Sequence, residues 1–239
     1  MDKSIQQLIR DEFLPLVRDV FGDRLVSVVL YGSGADGSYR PGVSDVNILI
    51  LLDEPQPELL ERLAKEGRRV MKKRRITPMV ISEEEYRQGA DVFPMEYLDI
   101  RDRHITLFGS DLTGELEFAE THLRQQLEQQ LRGSLFSLRQ LILSSRGRKR
   151  LLSKELPRWY GTLQVLFKGL LRLVEPGESV RSGESALPVL AERFSFDPKP
   201  FEELLKLREK GKIEAGPLSH RLVLELAQLV RGVDQWEQE

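Results

Sequence analysis

The chain of 239 residues contains no cysteine. That rules out disulfides, thiolate catalysis and cysteine-ligated zinc or iron–sulfur centres, and it fits a reducing compartment such as the cytosol. Histidine is nearly as scarce. His104, His122 and His220 are scattered, none three or four residues from another as helical metal ligands would be, so each reads as a surface or packing residue. No excess of charge of one sign exists either: 36 Lys and Arg against 38 Asp and Glu leave a net charge of −2. No global positive field therefore recruits nucleic acid or an anionic membrane, and any polyanion contact has to be local. No apolar run reaches the ~18 residues of a membrane span, and the opening MDKSIQQLIRDEF mixes charge into every turn. These absences predict a cytoplasmic protein without membrane contact. The 40% of hydrophobic residues suffices for a sizeable core, best divided between two small domains.

The apolar pattern supports that division. Ile5, Leu8, Ile9, Leu16, Val17 and Val20 have helical spacing over 4–21. LVSVVLY at 25–31 is a short β-branched run that stops at Gly32, and DVNILILLD at 45–53 is a second strand, apolar enough to be covered on both faces. Helical periodicity returns over 57–73. A third strand is predicted at 76–81, a short helix opened by a Ser82/Glu85 capping box follows, and a fourth strand is predicted at 104–108. From about Leu116 onward only helix periodicity remains. Stripes run through Leu123, Leu127, Leu131, Leu135, Leu138 and Ile142, then through Leu156, Trp159, Leu163, Leu166, Leu170 and Leu173, and shorter helices are predicted at 183–194, 199–209 and 217–236. Such stripes read as bundle core. The expected organisation is α+β: an N-terminal mixed sheet with flanking helices over 1–112, then an all-α helical bundle over 116–239.

The chemistry is concentrated between the first two strands. Gly32 to Gly37 spells G-x-G-x-x-G after a strand, the signature of a dinucleotide site, but that site needs a helical crossover of at least about 10–12 residues to a parallel strand. Only SYRPGVS separates Gly37 from Asp45, and Pro41 and Gly42 stop any helix there. A P-loop is excluded as well, because Ser38 stands where the phosphate-binding lysine belongs. A strand, a Gly-Ser turn, a short loop and an acidic residue opening the next strand do fit. Strand alternation points residues 45 and 47 to the same side, so an Asp-x-Asp there would aim two carboxylates at one divalent cation. Small residues at 32–34 let backbone N–H groups approach phosphate oxygens, and the Ser33 hydroxyl adds a donor.

At these residues, LYGS at 30–33, eleven intervening positions, then Asp45-Val46-Asn47, the chain resembles the nucleotidyltransferase superfamily that includes DNA polymerase beta, the kanamycin-type antibiotic nucleotidyltransferases and the minimal bacterial nucleotidyltransferases. The resemblance covers about 1–112 and is specific over 28–52. It implies that Gly32 and Ser33 hold the triphosphate of an NTP such as ATP, that Asp45 binds Mg²⁺ or Mn²⁺, and that an NMP group passes to an acceptor hydroxyl. The helical domain would then choose the acceptor or a partner.

Two departures from the family pattern bear on activity. Asn47 stands where the family has its second metal carboxylate; its amide oxygen can ligate but brings no charge. The third family carboxylate usually lies on the following core strand, and RITPMVI has none; Glu96 or Asp99 in FPMEYLDI would have to supply it. The catalytic set expected is thus Asp45, Asn47 and Glu96, with Asp45 and Asn47 as metal ligands. A catalytically impaired nucleotide- or partner-binding module is the alternative. Either of the basic clusters at 72–75 and 146–150 could hold a phosphate or RNA backbone, but solvated surface is the preferred reading, the first cluster being favoured by a helix C-terminus; neither has the interleaved aromatics of nucleic-acid stacking. The Arg-x4–6-His motif of the helical ribonuclease partners of minimal nucleotidyltransferases is absent from 116–239, so ribonuclease activity is not expected.

Overall fold

The computed structural model describes residues 4–42, 44–115, 119–176, 183, 185–210 and 214–236. The chain divides into two compact units, Met1–Phe118 and Ala119–Glu239.

In the first unit, β1 (Leu25–Tyr31), β2 (Val46–Leu52), β3 (Ile76–Ser82) and β4 (His104–Gly109) form one mixed sheet of order β3-β2-β1-β4. β1 is antiparallel to both β2 and β4, whereas β2 and β3 are parallel. The near-continuous apolar runs of β1 and β2 are explained by burial on both faces. Val28, Leu30, Ile48, Ile50 and Leu52 pack against Ile9, Phe13, Val17 and Leu63, which belong to the layer of α1 (Ile5–Glu12), α2 (Leu14–Phe21), α3 (Pro57–Glu66) and α4 (Arg68–Arg74). Val29, Leu49 and Leu51 pack on the opposite face against Tyr86, Tyr97 and Ile100, from α5 (Glu83–Gln88) and α6 (Pro94–Asp102). Arg10 on α1 reaches the β4 edge and donates to the carbonyls of Leu107 and Thr106 at 3.1 and 3.4 Å.

Two expected helices are each broken in two. Pro15 has no N–H to donate to Asp11, so the 4–21 helix is interrupted at the buried Phe13, with Pro15 in the first turn of α2. The 57–73 helix is broken at Gly67, where a Cβ would stand 2.7 Å from the Leu63 carbonyl oxygen. The Ser82/Glu85 capping box is present with both of its hydrogen bonds.

The second unit is helical: α7 (Glu120–Ser145), α8 (Lys149–Val174), α9 (Leu187–Phe194), α10 (Lys199–Lys210) and α11 (Ala215–Asp234). Leu127, Leu131 and Leu138 of α7, Leu163, Phe167 and Leu170 of α8, and Leu222, Leu226 and Leu229 of α11 are fully buried. Trp159 departs from its expected place in the stripe. Its half-buried indole donates to the Ser134 carbonyl at 3.0 Å, and Tyr160 fills the core beside it. Among the described residues, no helix is long and apolar enough to cross a membrane.

Candidate active site

The strand directions bring the C-terminal end of β1 together with the N-terminal ends of β2, β3 and β4 at one end of the sheet. Register aligns Thr77, Asn47, Tyr31 and His104 in a row across all four strands there. Asn47 alternates in phase with Leu49 and Leu51, and Tyr31 with Val29, so both side chains project to the α5–α6 side.

The Gly-Ser turn starts where β1 ends. Gly32 has φ of +69°, a left-handed value that favours glycine, and its N–H donates to the Arg103 carbonyl at 2.9 Å. Its own carbonyl accepts from Ala35 and Asp36, winding Gly32–Gly34 into a tight turn. A Cβ on Gly32 would meet Asn47 Nδ2 at 3.4 Å, and one on Gly34 would press on Leu30 at 2.9 Å. The turn therefore lies against both the core and the Asn47 amide. Beyond it, the Asp36 carboxylate accepts from the Ser38 N–H at 2.9 Å, the Ser38 hydroxyl at 2.6 Å and Arg103 Nη1 at 2.9 Å. Partial burial pushes its pKa up, but the Ser38 and Arg103 interactions outweigh that and hold it below the ordinary value. No helix separates Gly37 from Asp45 among the described residues.

Asp45 is exposed at the entry to β2. Its Oδ1 accepts from Nε of Arg75 at 2.9 Å and lies at the same distance from Arg75 Nη2. Asn47, half-buried two residues on, has no side-chain hydrogen bond among the described residues. Glu96 and Asp99 are carried by α6, Glu96 exposed and Asp99 half-buried. The Tyr31 hydroxyl has its pKa raised chiefly by burial, then by the negative charges of Asp99 and Glu96. Tyr31 is the direct cross-strand neighbour of Asn47. Asp99 is 3.5 Å from Arg103, whose carbonyl accepts from the Gly32 N–H, which ties this acid from outside β2 to the Gly-Ser turn.

The sequence reading missed several members of this end of the sheet. Arg75 is exposed, as expected of the surface cations at 72–75, but its guanidinium also pairs with Asp45, which the run of like residues does not reveal. Tyr31 was read only as a strand residue. His104, a surface or packing residue by sequence, contacts the Arg101 carbonyl at 3.0 Å and Asp111 Oδ2 at 2.9 Å through its ring nitrogens, beside Tyr31. Pairing across the strands, which a single sequence does not display, is the signal that unites them.

Among the described residues, no three His, Asp or Glu side chains are grouped so as to hold a metal ion. Asp45 and Asn47 offer one carboxylate and one amide oxygen. Hard oxygen donors of this kind suit a single Mg²⁺ or Mn²⁺ whose other positions are filled by phosphate oxygens and water, and they are too few for a pair of ions.

Residues 11–97 match the family model of the nucleotidyltransferase domain. No curated protein matches the sequence. Among solved structures, the fold is shared with a spectinomycin adenyltransferase of Enterococcus faecialis determined with ATP and spectinomycin: TM-score 0.59, 16% identity, 98% of this chain and 100% of that one covered. The first unit is accordingly a domain of the nucleotidyltransferase superfamily, and a helical part follows it.

Proposed function

We propose that this chain transfers a nucleoside monophosphate, most simply AMP from ATP, to a hydroxyl of a small-molecule acceptor. The nucleotidyltransferase domain and the adenyltransferase neighbour support NMP transfer in general. The observation that carries the reading is the packing of the Gly32–Gly34 turn against Asn47, with Asp45 at the same end of the sheet.

In this reading the Ser33 and Gly34 backbone N–H groups and the Ser33 hydroxyl hold the triphosphate, the Gly32 N–H being taken by the Arg103 carbonyl, and the left-handed Gly32 lets the backbone approach phosphate oxygens closely. The acceptor oxygen bonds to the α-phosphorus. The bond from that phosphorus to the α–β bridging oxygen breaks, its electron pair leaving with pyrophosphate. The acceptor proton goes to a carboxylate on α6, Glu96 or Asp99, the acids whose charges raise the Tyr31 pKa. Asp45 and Asn47 would hold one Mg²⁺ or Mn²⁺, which when bound neutralises charge on the phosphates. The helical unit would select the acceptor, and the neighbour determined with ATP and spectinomycin supports a small molecule as that acceptor.

A second reading, a nucleotide-binding module with little turnover, is favoured by the neutral Asn47. Pyrophosphate release from ATP, GTP, CTP or UTP with Mg²⁺ or Mn²⁺ and a panel of hydroxylated small molecules separates the two. Transfer predicts release by the wild type that is lost in Asp45→Ala and raised in Asn47→Asp, because the aspartate restores an anionic ligand. Release that survives Asp45→Ala places the chemistry elsewhere, and no release from any variant leaves the binding module.

A further inference from the structure

Arg75 follows α4 as its C-cap and adopts a left-handed conformation, φ 55° and ψ 41°, that is costly for a residue with a Cβ. Its carbonyl accepts from the Val46 N–H at 2.9 Å, which ties it to the first residue of β2. That backbone geometry places the guanidinium beside Asp45, with two nitrogens 2.9 Å from the single oxygen Oδ1. Both side chains are about half exposed, 47% and 57%, so water screens the pair and it opens at little cost. The planar guanidinium also matches phosphate oxygens in a two-pronged geometry. A nucleoside triphosphate carries several negative charges against the single charge of Asp45. Arg75 stands at the end of the sheet where the Gly32–Ser33 turn lies, and neutral Asn47 offers the guanidinium no competing charge.

We infer that Arg75 is a latch exchanged between two anions. In the free protein it holds the Asp45 carboxylate; when a nucleoside triphosphate binds, it passes to the phosphates and leaves Asp45 open to a divalent cation. The inference rests on the nucleotide-binding reading above. It makes cation binding conditional on nucleotide, so the site does not collect Mg²⁺ or Mn²⁺ on its own. It also makes Arg75 a phosphate ligand that acts without metal.

The test measures Mn²⁺ binding by the electron paramagnetic resonance of free Mn²⁺, without nucleotide, and ATP binding in EDTA by calorimetry. Arg75→Asn keeps a side chain that tolerates the left-handed backbone, and Arg75→Gly removes the strain altogether. Both should bind Mn²⁺ about tenfold more tightly than the wild type and ATP in EDTA about tenfold more weakly, the scale of one charge-assisted hydrogen-bonded contact. Asp45→Asn should strengthen ATP binding in EDTA, and that gain should vanish when combined with Arg75→Asn. Wild-type ATP binding with Mn²⁺ and ATP affinities unchanged in both Arg75 variants overturns the latch while the site stands. An Asp45→Asn gain that persists without Arg75 also overturns it. A wild type that binds no ATP with or without metal overturns the latch together with the nucleotide-binding reading.

Discussion

Tyr86→Phe is expected to make the first unit more stable. Tyr86 is 1% exposed and stacks on Tyr97 with ring centroids 4.8 Å apart, and its buried hydroxyl has no hydrogen-bond partner among the described residues. A buried polar group without a partner costs about 1–3 kcal/mol of desolvation. Phenylalanine keeps the stacked ring and removes that cost, at the expense of the few dispersion contacts of one oxygen. The net expected is a gain of about 1 kcal/mol, or a rise in melting temperature of roughly 4 °C for a unit of this size. Alkaline pH adds a second signature. Burial, then Tyr97 and Asp111, raise the Tyr86 pKa well above its ordinary 10.0. The neutral phenol therefore supports the fold fully below pH 10, and this support is lost as pH climbs from there through the folded-state value, because the unfolded chain releases the proton first. Each such tyrosine steepens the loss by up to about 1.4 kcal/mol per pH unit; Tyr86→Phe should flatten it, with Tyr31 and Tyr97, also raised by burial, remaining. Urea unfolding followed by tyrosine absorbance reads chiefly the first unit, which holds Tyr31, Tyr39, Tyr86 and Tyr97, and tryptophan fluorescence reads the second, which holds Trp159 and Trp236 along with Tyr160. A variant less stable than the wild type at neutral pH would show that the hydroxyl has a favourable partner and would refute the argument.

Gly109→Ala should destabilise the first unit by more than about 3 kcal/mol in urea titration, because an added Cβ would stand 1.9 Å from the Val26 carbonyl oxygen at a φ of +76°. Gly37→Ala is the control, with φ of +80° and nothing within 4 Å, and should cost only the backbone strain of about 1–2 kcal/mol. Ser82→Ala removes the capping box at the start of α5 and should cost about 1 kcal/mol by the same titration, partly restored by Ser82→Asp.

What was legible in the sequence follows from the range of the forces involved. β1 and β2 are buried on both faces, so their apolar runs identify them, and Gly32–Gly34 is legible because a tight turn against core and amide demands residues without side chains. The capping box spans three residues and is equally local. Pro15 was present to be read as a break in the first helix, but the apolar spacing on either side of it runs in phase. α6 was harder: Pro94, Met95, Tyr97, Leu98 and Ile100 are all buried, which erases any clear amphipathic period. The placement of Glu96 and Asp99 near Tyr31 depends on that helix packing over a strand more than 60 residues earlier in the chain. Arg75 illustrates the limit most sharply. A run of four cations looks alike along its length, and only the left-handed backbone at the last of them turns that one toward Asp45.

The sheet order leaves β3 and β4 as outer strands, each with one side unpaired within the sheet, and such rows of free N–H and C=O groups are where strands of separate molecules join into aggregates. Each border of this sheet carries its own obstacle. Pro78, in the middle of β3, has no N–H to offer an incoming strand. On β4, Arg10 already occupies the carbonyls of Thr106 and Leu107. Losing either obstacle should show first in a concentrated solution: Arg10→Ala or Pro78→Val would leave the fold of a dilute sample nearly intact while lowering the concentration at which it stays clear.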